Sequence, residues 1–418
     1  MKEVFLLICV FGLFWLSPMH AAAERVVEVD GEGVRALKMD TSDPLSEVYL
    51  SIPSPLSSLS RTSNQAEKVN NEVGEVYGSI NAGFFYMSTT KDPIYMLVQE
   101  NEIIAGEILG LDDYSYSFKP IAFGITEEGL PLIDEYKTTV TFEHKGKAYN
   151  ADAINRKQRE GEVIIYSDHY WGTSKSKNKY AMEIVVKLSE SGNLAYGTRY
   201  EGRVVEIYPY GEEGEYDPKE KHAIISIHGG DLSKEFGERI RIGDQIDIAP
   251  MINEKWMNAR YIVGSGPLLV KDGEPHLTIN LKSPRATAIA NRTAVGVKGE
   301  DVFFITSQSA MDMATFASYV ARLGVDRALN LDGGGSSSMV VQRGGQLKSV
   351  VPSNAERAVS TTLHMVKKHP PEFLPQLQSV TMDFLEKGSQ WTGNAVERIK
   401  MWWSEALYWF FPRVMIQT

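Results

Sequence analysis

The chain has 418 residues, 43% hydrophobic and 23% charged, the composition of a globular protein with a sizeable core. That length allows two domains, or one large domain with additions at its ends. A net charge of -11 with no concentrated Lys/Arg stripe excludes a nucleic-acid surface.

The first stretch, Met1 to Ala23, has the layout of a secretory signal. Lys2 leads an apolar run from Val4 to Leu16, followed by Pro18 and the small residues Ala21, Ala22 and Ala23. The run is short for a membrane-spanning helix, which needs about 20 residues. Cleavage and export to the extracellular space or cell envelope are therefore expected, with an uncleaved anchor as the alternative. The only cysteine, Cys9, lies inside this segment, so the exported chain would use neither disulfides nor thiol chemistry.

From residue 24 to about 260 the pattern is mostly β. Short apolar runs at Val26 to Val29, Val48 to Ile52, Met96 to Val98, Ile121 to Ile125, Thr138 to Phe142, Val163 to Tyr166, Glu183 to Leu188, Arg203 to Tyr208 and Ala223 to His228 are separated by Gly, Pro and charged turns. Arg61 to Val76 reads as a helix feeding a strand that ends in Asn81-Ala82-Gly83-Phe84-Phe85. Asn81 and Gly83 are candidates to face a ligand, although a turn accounts for the pair equally well. Asn155-Arg156 precedes another strand and the aromatic loop Asp168 to Thr173. Trp171 on that loop is a candidate sugar platform, since an aromatic face packs on the C–H face of a pyranose; a Trp that pins the loop to the core is the alternative.

From 261 to 368 helical and strand signals alternate. Ser265-Gly266-Pro267 bends the chain between apolar segments. Arg292 to Val297 and Val302 to Ile305 form a hairpin across Lys298-Gly299-Glu300. Met313, Phe316, Ala317 and Val320 share one helical face, with Asp312 as N-cap and Gly324 just past the end. The strand Arg327 to Leu331 then delivers Asp332 and the run LNLDGGGSSSM, Leu329 to Met339. Strand, helix and strand at this spacing imply a βαβ unit with a right-handed crossover, and ligands collect at the carboxyl ends of such strands. The expected fold class is α+β: a mixed β-sheet core with packed helices, one βαβ unit and a C-terminal helical extension. The tail, 369–418, opens on Pro370-Pro371 and is rich in Trp and Phe. Ile399, Trp402, Trp403, Ala406 and Trp409 suggest an amphipathic helix that packs on the domain or docks, through 391–411, on a protein or membrane interface.

Together, Asn81 to Phe85, Asn155-Arg156 with its aromatic loop, Gly264 to Pro267, Arg292 to Gly296, Leu329 to Ser337 and Arg357 resemble the phosphodiester glycosidase family over about residues 26 to 367. The chain departs from the usual pattern at Ala82, where the family has Gly, and at Ser307 to Asp312, which lacks a glycine common there. The resemblance implies hydrolysis of a sugar-1-phosphodiester at the anomeric carbon, with release of free sugar and a phosphomonoester. Asp332 and Arg292 are then the expected catalytic pair. Substrate contacts are expected from Asn81, Gly83, Asn155, Arg156, Trp171, Ser265, Gly266, Thr293, Gly333, Gly334, Gly335, Ser336, Ser337 and Arg357.

The chemistry fits these residue types. Arginines bind phosphate bidentately, and Gly333 to Gly335 offer main-chain N–H groups to an oxyanion. A phosphomonoester leaves readily, so no second carboxylate is nominated. One Asp with hydroxyls is a poor cage for a divalent cation, and no cofactor is required by the sequence. The expected partner is a phosphodiester-linked glycan, small or polymeric. The alternative function is a non-catalytic envelope protein that binds anionic glycans through the same groups.

Overall fold

The computed structural model describes residues 26–43, 45–89, 91–107, 119–170, 178–190, 192–212, 221–350 and 356–368. The expected signal (Met1 to Ala23), Trp171 and the tail 369–418 lie outside the described residues.

The fold is mostly β, which corrects the α+β expectation. Among the described residues three large sheets of thirteen, seven and five strands dominate, with a two-stranded one beside them. Among the described residues the α-helices are Thr62–Glu72, Gly230–Arg239, Met313–Arg322 and the short turn Pro284–Thr287. Almost every strand pair is antiparallel; Ala153–Ile154 with Val163–Tyr166 is parallel.

The expected βαβ unit takes a different form. Asp301–Ser307 and Arg327–Asn330 do run the same way, on either side of the helix Met313–Arg322. They do not pair with each other, because Thr293–Lys298 lies between them, antiparallel to both. The 3.6-residue apolar period revealed the helix correctly, but it says nothing about which strand fills the space between its neighbours.

Alternation of side chains across the seven-stranded sheet explains how it packs. Ala294, Phe303 and Ile305 face Met313, Phe316, Ala317 and Val320 of the helix. Asp312 Oδ1 caps that helix by accepting Thr315 N–H at 2.8 Å, and Gly324 ends it at φ 78°. Val295, Val302 and Phe304 point the other way. They meet Leu50, Ile80, Leu363 and Met365 of the five-stranded sheet, and Phe123, Tyr261 and Val263 of the thirteen-stranded one. The largest core therefore lies where the three sheets meet.

The strand Arg327–Asn330 runs out at the edge of this core. The chain passes through Asp332 and a glycine turn, then enters Met339–Arg343 of the five-stranded sheet. Asp332 thus stands where the backbone crosses from one sheet to another.

Candidate active site

Asp332 is held by its main chain from both sides. Its N–H donates to Ala82 O at 3.0 Å, and its carbonyl accepts Asn81 Nδ2–H at 2.6 Å. Asn81 Oδ1 accepts from Thr293 Oγ1 at 2.9 Å and from Ser338 N–H at 2.9 Å, so one fully buried amide ties three segments together. Ala82 N–H donates to Thr361 O, and Gly83 N–H to Thr361 Oγ1 at 2.9 Å. The methyl of Ala82, at the position where the resemblance leads one to expect Gly, is buried in the main core.

Beneath the strand end, Ser265 Oγ donates to Asn330 O at 2.7 Å. Asn330 Nδ2 donates to Gly266 O at 3.0 Å and Leu331 O at 2.8 Å, across the cis Gly266–Pro267 bend. Ser265 and Thr293 are fully buried, so their hydroxyls brace the turn.

The carboxylate itself is half-buried. Burial pushes its pKa up to about 6, against the opposing pull of the Ser336 hydroxyl, the Gly333 N–H, Arg357 and Arg285. Gly333 N–H donates to Asp332 Oδ1 at 2.9 Å. Gly334, at φ 62°, sits in the left-handed region, and its N–H donates to Asn291 O at 2.8 Å. Two of the main-chain donors expected to cradle an anion are therefore already engaged inside the protein. An incoming anion is left to meet the side-chain cations around the turn. Ser337 Oγ is buried and has no hydrogen-bond partner among the described residues.

Arg357 is exposed, and its guanidinium packs on Gly335; a Cβ at that glycine would stand 2.3 Å from Arg357 Nη2. Its Nη1 also donates to Met87 Sδ at 3.4 Å. Arg292 is placed differently. It is buried, and its guanidinium donates to Met311 O and Ala288 O, while its N–H donates to Ser307 Oγ at 2.9 Å. These bonds connect the Ser307 to Asp312 stretch with the segment leading into Arg292.

Asn155 and Arg156 belong to another neighbourhood. Asn155, at φ 53°, donates from Nδ2 to Ser167 Oγ, and Arg156 forms a buried bidentate pair with Glu162, both bonds at 2.7 Å. A link runs through the loop after Gly83: Tyr86 Oη accepts from Arg159 Nη2 at 2.9 Å. Arg285 was not singled out by the sequence reading. Its one local signal is the Ser-Pro start of a short helix, which does not disclose that the segment folds against Asp332. Among the described residues no group of three or more His, Cys, Asp or Glu side chains is arranged to hold a metal ion. No helix among them is long and apolar enough to cross a membrane.

A half-buried carboxylate with a raised pKa, beside an exposed guanidinium on a glycine turn, is a candidate functional site. Residues 202–366 match the family model described as phosphodiester glycosidase, so the resemblance read from the motifs holds over that segment. Gly264 to Pro267, Arg292 to Gly296, the Asp332 turn and Arg357 fall inside it, whereas Asn81 and Asn155-Arg156 fall outside.

The fold is similar to a hypothetical protein from Synechocystis, with TM-score 0.62 and 20% identity over 82% of this chain and 61% of that one. It is also similar to a candidate exported protein from Burkholderia pseudomallei, with TM-score 0.58 and 17% identity over 80% of this chain and 73% of that one. The zebrafish N-acetylglucosamine-1-phosphodiester alpha-N-acetylglucosaminidase catalytic domain aligns at TM-score 0.40 and 13% identity, over 84% of this chain and 86% of that one. Curated protein sequences give no significant match.

Proposed function

We propose that this chain is an exported hydrolase that cleaves a sugar-1-phosphodiester at the anomeric carbon, releasing free sugar and a phosphomonoester. The observation that carries this reading is the pairing of Asp332 with Arg357 across the glycine turn, in a segment that matches the phosphodiester glycosidase model.

Asp332, with a pKa of about 6, is ionised at neutral pH and faces the anomeric carbon. It acts as nucleophile or as base for the attacking water, two roles that trapping a glycosyl-enzyme separates. As base, Asp332 takes the proton of the water whose oxygen bonds to C1. As nucleophile, its own oxygen bonds to C1 first and water later displaces it. In both, the C1–O bond to the phosphate breaks with its electron pair going to the phosphate oxygen. Arg357 neutralises the charge that grows there. Because the phosphate is a good leaving group, this chemistry runs without a second carboxylate as acid. Asn81, Thr293 and Ser265 act as positioning residues for the turn, and Arg292 positions the neighbouring segment. Export follows from the Met1 to Ala23 segment.

The test is a panel of sugar-1-phosphodiesters incubated with the full chain and with Asp332→Asn, measuring free sugar and phosphomonoester together. Equal release of both by the wild-type chain alone is expected. Phosphate products without free sugar would make the protein a phosphodiesterase, and tight binding without turnover would make it an anionic-glycan binder.

A further inference from the structure

The loop from Phe84 to Ile94 leaves the strand end that holds Asp332, and it is pinned at its base. Ile94 N–H donates to Phe84 O at 2.9 Å, Tyr86 N–H to Asp92 O at 3.0 Å, and Lys91 N–H to Tyr86 O at 2.9 Å. Phe85 is buried, and the Phe84 ring meets Tyr95 edge-on with centroids 5.5 Å apart. These anchors fix Tyr86 and Met87 between two arginines. On one side Arg357, packed on Gly335 of the Asp332 turn, donates from Nη1 to Met87 Sδ at 3.4 Å. On the other, Arg159 donates from Nη2 to Tyr86 Oη at 2.9 Å. Glu162 orients Arg159, accepting its N–H at 2.7 Å and standing 3.8 Å from its Nη1. The same carboxylate already binds the buried Arg156 through two bonds of 2.7 Å, so this cluster sets two guanidiniums against one carboxylate and is net positive. Met87 is 57% exposed and the Arg159 side chain 54%, so both can meet a ligand.

We propose that Tyr86, Met87 and Arg159 form a subsite for the aglycone beyond the phosphate, and that this aglycone carries a second anionic group, as in a phosphate-bridged glycan chain. The proposal rests on the phosphodiester reading above. With the sugar at Asp332 and the scissile phosphate at Arg357, the group esterified to that phosphate passes Arg357 and meets the thioether, the phenol and the second guanidinium in turn. A thioether and a phenol ring pack on the C–H surface of a sugar or polyol. A guanidinium binds phosphate or carboxylate bidentately. A lipid aglycone would instead lay its apolar chain against a cation and desolvate it, at a cost. A neutral aglycone would gain nothing from the charge. Tyr86, Met87 and Arg159 all lie outside the 202–366 segment that matches the family model, so the subsite is an addition of this chain to the Asp332 turn.

The experiment compares two esters of each sugar 1-phosphate in the panel above: the methyl ester, and the glycerol 3-phosphate ester, whose aglycone ends in a second phosphate. The full chain is assayed at pH 7.5 and low salt as wild type, Arg159→Ala and Arg159→Glu, with thermal unfolding to verify that each is folded. In wild type, kcat/KM should be higher for the glycerol 3-phosphate ester than for the methyl ester. Losing one charge-assisted contact should lower that ratio about tenfold in Arg159→Ala, and further in Arg159→Glu. Calorimetric affinity for the glycerol 3-phosphate ester should fall in parallel. If Arg159 only braced the loop, both esters would suffer alike and the ratio would hold, so an equal ratio in all three proteins overturns the subsite. A wild type that prefers the methyl ester overturns it too; in either case turnover leaves the glycosidase reading standing. Arg159-dependent binding of the glycerol 3-phosphate ester without any turnover supports the subsite and refutes the glycosidase reading. Neither binding nor turnover by wild type overturns both.

Discussion

The Arg357 guanidinium lies directly against the Cα of Gly335, three residues beyond Asp332, so close that a methyl group there would sit 2.6 Å from its Cζ. That approach ties the position of an exposed cation to the absence of a side chain on the Asp332 turn. Gly335→Ala should therefore displace Arg357 while leaving the fold intact, since Gly335, unlike Gly334, is not among the glycines with positive φ. The expected loss in kcat/KM on a sugar-1-phosphodiester is about ten- to hundredfold, as for Arg357→Ala. Steady-state kinetics of the two single variants and the double variant check this. A double variant no worse than either single shows that both act through one contact.

Asp332 sets stability and activity against each other. Its folded pKa of about 6 lies above the ordinary 3.8, so its contribution to stability is fully present below 3.8 and is lost as pH rises through 6. Ionisation, which the chemistry needs, is thus what the fold tolerates least. Asp332→Asn should abolish turnover yet raise stability above pH 6, by up to about 3 kcal/mol at roughly 1.4 kcal/mol per pKa unit. The wild-type pH profile of kcat/KM should rise with an apparent pKa near 6. Denaturant unfolding at pH 4 and pH 8, beside the pH–rate profile, tests both halves.

Much of this site was legible in the sequence, and the reason is local. Asp332 announces itself as a charge at the end of an apolar strand, followed by glycines. The hairpin of Thr293–Lys298 with Asp301–Ser307 carries its turn at Gly299, and the helix Met313–Arg322 carries its apolar face and its cap. What escaped depends on pairing between distant segments. Nothing near Val302 says that Val34–Asp40 will lie along it, nor that Thr362–Lys368 will pair with both Gly74–Asn81 and Ser46–Ser51. The βαβ spacing therefore suggested a helix-packed fold where the chain builds antiparallel sheets. Arg292 and Arg285 illustrate the same point at the site. Both sit near the hairpin in sequence, and only tertiary packing turns Arg292 toward backbone carbonyls while leaving Arg285 exposed.

Asn81 and Ser337, two polar side chains at the turn, should respond oppositely to truncation. Asn81 makes three hydrogen bonds in a dry interior, so Asn81→Ala leaves the Asp332 carbonyl, Thr293 Oγ1 and Ser338 N–H short of partners. A stability loss of about 2 to 4 kcal/mol is expected, with turnover falling as the turn loosens. Ser337 Oγ is buried without a partner, so Ser337→Ala should leave stability unchanged within about 0.5 kcal/mol or increase it. If that hydroxyl meets substrate, kcat/KM falls nonetheless, by about tenfold for one hydrogen bond. Urea unfolding and kinetics on both variants separate bracing from binding.

Away from the turn, Glu183 is a carboxyl in the thirteen-stranded sheet at 2% exposure, and the hydroxyl of Ser226 stands 3.4 Å from its Oε1. Burial pushes its pKa up to about 8, so it is protonated at neutral pH, on the sheet face it shares with Tyr166. Its folded value lies above the ordinary 4.5, which fixes the sign. The stability it contributes is fully present below pH 4.5 and is lost as pH rises through 8. Glutamine has nearly the shape of the protonated acid and does not ionise. Glu183→Gln should therefore match wild type near pH 5 and exceed it by a few kcal/mol near pH 9, following the linkage between proton binding and folding. Unfolding free energies across that range decide the matter. Parallel curves for the two proteins would mean that Glu183 is ionised in the fold, its charge met by a partner within the sheet.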